Sequence, residues 1–128
     1  MPRTKSPVLT EAELRLMEVL WSKGASTVQH VLDALSEHPP LAYNTVLTTI
    51  RILEKKGYVR HSKDGRAHVY CATVRREDAT RSEIERLVSR FFQNSHELLV
   101  LNILESRDLD AEEVKRLRRV LDAGEESQ

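Results

Sequence analysis

At 128 residues the chain can hold one compact core, or a small domain with an appended element. A hydrophobic share of 40% is too high for wholesale disorder, and the lone Cys71 excludes an internal disulfide framework and any multi-cysteine metal site. The net charge of zero hides a split, because residues 1–76 hold 12 Lys and Arg against 7 Asp and Glu, whereas residues 77–128 hold 8 against 13. A basic front joined to an acidic rear points to a half that meets a polyanion and a half with another task. The surplus is densest over residues 42–76, with 8 basic and 2 acidic side chains. No apolar run approaches the length of a membrane span, and the start, MPRTKSPV, has no apolar signal region. The expectation is a cytoplasmic protein without membrane insertion.

Taken in order, residues 1–9, with Pro2 and Pro7, read as a short disordered arm. Thr10 and Glu13 have the spacing of a capping box, and Leu14, Met17 and Trp21, with Leu20 beside them, form the apolar stripe of a first helix that Lys23 and Gly24 close. Thr27 caps a second helix carrying Val28, Val31, Leu32 and Leu35 inward and stopping before His38-Pro39-Pro40. A third helix spans about residues 43–56, and Gly57 turns the chain out of it. Two β-type runs, YVRHS and AHVYCA, flank KDGR with its Asp-Gly turn and predict a hairpin. The rest is helical again: Ile84, Leu87, Val88, Phe91 and Phe92 repeat at helical spacing, ELLVLNILE is densely apolar, and Asp110 with Glu113 caps a last helix whose stripe is Val114, Leu117, Val120 and Leu121. The tail GEESQ reads as frayed. The fold class is mainly α with a small β-hairpin wing: a winged helix-turn-helix over residues 1–76 and a helical dimerisation region over 77–128.

The third helix raises a question of composition. It contains Asn44, Thr45, Thr48 and Thr49, residues that are poor in helix interiors. At 100° per residue, Val46, Ile50 and Leu53 fall on one side with Tyr43 beside them, while Asn44, Thr48, Arg51 and Lys55 cluster opposite, flanked by Thr45, Ile52 and Lys56. Short hydrogen-bonding groups beside long cations suit a major groove, where Asn pairs with adenine edges and Arg with guanine, while Lys55 and Lys56 suit phosphates. Arg60, Lys63 and Arg66 of the hairpin are placed to hold the backbone or the adjacent minor groove. The partner expected is double-stranded DNA.

LTEAELRLMEVLWSKGASTVQHVLDAL, LAYNTVLTTIRILEKKGYV and DGRAHVY together resemble the penicillinase-repressor family of the BlaI, MecI and CopY type, over about residues 8–122. The resemblance implies a bacterial winged-helix repressor acting as a homodimer on a palindromic operator, commonly at antibiotic-resistance or copper-homeostasis genes. Asn44 stands where the family usually has threonine, and Ile52 where arginine is common, so the operator sequence does not transfer from relatives. In β-lactam-responsive members a membrane sensor protease system leads to cleavage at an Asn–apolar bond, and Asn102-Ile103 matches that position. The dimer segment would comprise Leu87, Phe91, Phe92, Leu98, Leu101, Leu104, Leu117 and Leu121, part of more apolar surface than three short helices bury among themselves.

No nucleophile elbow, phosphate loop or carboxylate pair is present, so an enzyme is not expected, and neither is a cofactor. His61 and His68 with Cys71 make too weak a donor set to expect a metal, and Cys71 reads as a buried, inert thiol. The rival readings are a winged-helix module that binds protein, and a metal-responsive repressor of the same family, although residues 77–128 lack the cysteine cluster such sensors carry.

Overall fold

The computed structural model describes residues 8–35, 41–106 and 109–126. The elements are α1 (Glu11–Lys23), α2 (Val28–Ala34), α3 (Tyr43–Lys56), β1 (Val59–Asp64), β2 (Ala67–Ala72), α4 (Arg76–Phe91), α5 (His96–Leu104) and α6 (Ala111–Glu126). They form two units, residues 1–81 and 82–128, and the division falls within α4. His38-Pro39-Pro40 and residues 1–7, including Pro2 and Pro7, lie outside the described residues.

The first unit is a winged helix. Leu16, Met17 and Leu20 of α1, Val28 and Val31 of α2, and Val46, Ile50 and Leu53 of α3 are buried together with Tyr58, Val59 and Tyr70 of the hairpin. The buried stripe of α1 therefore runs Glu13, Leu16, Met17 and Leu20, and not through Leu14, which is exposed, or Trp21, which is half-buried. The shift has a physical cause. A carboxylate occupies one position of the inward face, which disguises the stripe in the sequence. Glu13 completes the capping box with Thr10, its carboxylate accepting from the Thr10 backbone N–H at 2.9 Å, and it also receives the Lys56 ammonium at 2.7 Å. Leu9 packs against the core and the Val8 carbonyl accepts from Lys56, so Val8 and Leu9, expected in a disordered arm, belong to the fold.

Burial acts to raise the Glu13 carboxyl, but Lys56 and the Thr10 donor outweigh it and hold the group below its ordinary value of 4.5. A carboxylate lowered by folding stabilises the fold above its unfolded value, and that contribution fades as the pH falls through the folded one. Glu13→Gln should therefore cost about 1–3 kcal/mol at neutral pH, the range expected when one partner of a buried, charge-assisted bond is removed. Urea unfolding of both proteins should show the difference shrinking below pH ~4; a difference that stays constant with pH would assign the loss to packing.

Gly57 ends α3 in the left-handed region at φ 92°, which lets the Tyr58 N–H reach back to the Leu53 carbonyl at 2.9 Å. The strands pair antiparallel from Val59 opposite Ala72 to Asp64 opposite Ala67. The turn is thus Gly65-Arg66 rather than Asp64-Gly65, and β1 runs through Asp64. Only Gly65, at φ 66°, needs a positive φ in this register, so the strands gain a pair without straining an L residue. Ser26, between α1 and α2, exchanges two backbone hydrogen bonds with Tyr70, tying the wing to the helices. The Trp21 indole donates to the Val74 carbonyl at 2.8 Å, and Arg76 lies over the ring while pairing with Glu18. Cys71 is half-buried, not buried, because it points to the hairpin face away from Tyr70.

In the second unit, Ser95 caps α5 and Asp110 exchanges capping hydrogen bonds with Glu113 at α6. Helix α6 continues to Glu126, past the Gly124 at which the sequence predicts fraying; Ser127 and Gln128 lie outside the described residues. Val88 is the one buried apolar side chain among the described residues of this unit. No helix of the described residues is long and apolar enough to cross a membrane.

Candidate nucleic-acid interface

Helix α3 sets Asn44, Thr48, Arg51 and Lys55 in one exposed row, at alternating steps of four and three residues, opposite the buried Val46, Ile50 and Leu53. Thr45 is exposed beside this row. Thr49 is turned to internal use, its hydroxyl donating to the Thr45 carbonyl at 2.8 Å. Lys56 departs from the row. Its ammonium is held by Glu13 and the Val8 carbonyl, which leaves it as part of the fold's framework. Ala42 at the N-cap provides no side-chain cap, and Lys55 adds positive charge in the last turn.

The hairpin distributes its cations between two faces. Lys63 lies across from His68 and shares a face with His61 and Tyr70, whereas Arg60 pairs with Cys71 on the opposite face. Arg66 sits in the turn. It meets Arg51 at the wall of a groove of about 400 Å³ between α2, α3 and the wing, also lined by Thr27, Gln29, Tyr43 and His68. Arg51, Lys55, Arg60, Lys63 and Arg66 form no ion pair with a described carboxylate. Of the residues that the sequence singles out, Arg51 and Arg66 line this groove together; Asn44, Thr45, Thr48, Lys55, Lys56, Arg60 and Lys63 do not line it.

Helical periodicity sets Tyr43 beside the core, yet it is 46% exposed at the first position of α3, where it lines the groove. Gln29 has no signal of its own in the sequence, and Thr27 has only that of a helix cap. They reach the groove because the Ser26–Tyr70 bridge draws the start of α2 toward β2. His61 and His68 stack with ring centroids 4.6 Å apart, and His61 Nδ1 lies 2.7 Å from Glu54 Oε2. Among the described residues no group of three His, Cys, Asp or Glu is placed to hold a metal ion.

The family profile described as penicillinase repressor matches residues 9–123. The chain belongs to the penicillinase repressor family. It is 30% identical over 118 residues to the penicillinase repressor of Bacillus licheniformis, covering 92% of each chain. It is 32% identical over 115 residues to the transcriptional regulator BlaI of Mycobacterium tuberculosis, covering 88% of this chain and 82% of that one. The solution structure of the DNA-binding domain of the repressor BlaI superposes with a TM-score of 0.51 at 32% identity, covering 58% of this chain and 90% of that one. The penicillinase repressor family consists of transcriptional repressors and not of enzymes. The share of this chain that BlaI covers matches the extent of the winged helix, so family membership and fold agree.

Proposed function

We propose that this chain is a transcriptional repressor that binds double-stranded DNA as a homodimer on a palindromic operator. The observation that carries the reading is the exposed row Asn44, Thr48, Arg51 and Lys55 on a helix packed by its other side, with Arg51 of that row and Arg66 of the wing lining one groove. A helix held in this way presents base-reading side chains to a major groove, and the wing cations meet the flanking phosphates. In this reading Asn44, Thr45, Thr48 and Arg51 read bases, and Lys55, Arg60, Lys63 and Arg66 bind the backbone. Lys56 supports α3 from behind. Residues 1–76 recognise the DNA and residues 77–128 dimerise. A repressor of bacterial genes works in the cytoplasm.

Gel shifts over a range of salt concentrations test this. Lys63→Ala or Arg66→Ala should weaken operator and random DNA alike and shallow the log–log salt dependence by about 0.9 for each phosphate no longer neutralised. A protein that shifts no duplex DNA at low salt would contradict the reading and favour a protein-binding winged helix.

Dimerisation draws support from apolar surface that one chain leaves uncovered. Leu87, Phe91, Leu98, Leu101, Leu117 and Leu121, with Ile84, Ile103 and Val120, range from 37% exposed at Leu117 to 68% at Val120; Phe92 and Leu104 are half-buried. Control of β-lactam-resistance genes follows from the likeness to a penicillinase repressor. Release would follow cleavage of Asn102–Ile103 through a membrane sensor protease system. Both side chains are exposed in the last turn of α5, and a helix of 9 residues is short enough to open locally.

A further inference from the structure

We infer that His68 is a phosphate-contacting residue of the wing groove, and that its protonation tightens DNA binding as the pH falls. The inference rests on the DNA reading above. The groove carries the guanidinium groups of Arg51 and Arg66 and no carboxylate among its lining residues, so an anion is the chemistry it accepts. His68 stands in its wall on β2, exposed, between the helix row and the turn. Its ring is not a free rotor. It stacks on His61 at 4.6 Å with planes 23° apart, and Glu54 of α3 in turn holds His61 at 2.7 Å. Tyr70 meets the His68 ring edge-on at 6.5 Å. A carboxylate on α3 therefore fixes an imidazole on β1, which fixes a second imidazole in the groove.

Charged and titratable groups face His68 from each neighbouring element: His61 and Lys63 on β1, Arg51 and, through His61, Glu54 on α3, and Arg66 in the turn. A phosphate entering the groove offsets the field of Arg51, Arg66 and Lys63. DNA and a proton on His68 consequently favour one another, and linkage requires the effect to be mutual. Histidine is the side chain whose charge changes near neutrality. Affinity is thus higher with His68 protonated than with it neutral.

The test measures fluorescence anisotropy of a short, labelled, random-sequence duplex with the full chain at pH 8 and pH 6 and fixed ionic strength, since a phosphate contact needs no particular sequence. Wild type should bind about five- to tenfold tighter at pH 6, with a salt slope steeper by about 0.9 for each engaged protomer. His68→Gln should show no gain at pH 6 over its own affinity at pH 8. His68→Lys, charged throughout, should bind at pH 8 as wild type does at pH 6. Wild-type binding at pH 8 with no gain at pH 6, or a His68→Gln protein that keeps the gain, overturns the inference alone. No binding at either pH, even at low salt, counts against the DNA reading itself.

Discussion

Arg51→Ala should lower operator affinity by roughly 1–3 kcal/mol per half-site, the worth of a two-point contact to a base, and should relax sequence preference at one position. In a dimer the loss would fall twice, so the full operator would lose on the order of 10³-fold for a mid-range cost of about 2 kcal/mol per half-site. The size follows from position. Arg51 is exposed at the centre of the α3 row, forms no ion pair with a described carboxylate, and its removal leaves the buried Val46, Ile50 and Leu53 untouched. Binding isotherms on operator and random duplexes separate the two roles an arginine can have. A base contact lowers operator binding far more than random binding. Equal losses on both DNAs would make Arg51 a phosphate contact and return base reading to Asn44 and Thr48.

A chain truncated after Asn102 should sediment as a monomer at micromolar concentration, where the intact chain should sediment as a dimer, and should lose operator affinity by between about 10²- and 10⁴-fold. The second half-site binds as an intramolecular event only while the two reading heads are joined. Truncation removes Ile103, Leu104 and the whole of α6, including the exposed Leu117, Val120 and Leu121. It leaves the core from Leu16 to Tyr70 complete, so the winged helix should keep its unfolding midpoint. A truncated chain that still dimerised and held the operator as tightly as the intact one would remove proteolysis as the release mechanism. Induction would then require a small ligand or another partner.

The elements best read from the sequence were those with local chemistry. Thr10 with Glu13, Thr27, Gly57 and Asp110 with Glu113 each mark a helix end through hydrogen bonds formed within a few residues, and the structure has the helices there. The α3 row was legible for a similar reason, because period alone places Asn44, Thr48, Arg51 and Lys55 opposite the apolar residues. What escaped depends on contacts distant in sequence. Glu13 on the inward face of α1 makes sense only once Lys56 is beside it, 43 residues on. The same contact withdraws Lys56 from the outward row. The turn slid from Asp64-Gly65 to Gly65-Arg66 because pairing along the whole hairpin outweighs the local dipeptide signal. The groove needed the Ser26–Tyr70 bridge, and no pattern within either segment announces it.

The central claim, that a dimer reads a two-fold operator through α3 and the wing, is tested most directly by footprinting on the DNA upstream of the protein's own gene. The account predicts two protected half-sites related by inversion, their centres about 10 base pairs or a multiple of that apart, as one face of the duplex requires. Protection should weaken steeply with added salt. No protection at protein concentrations that shift random DNA, or a single protected half-site with no inverted partner, would contradict it.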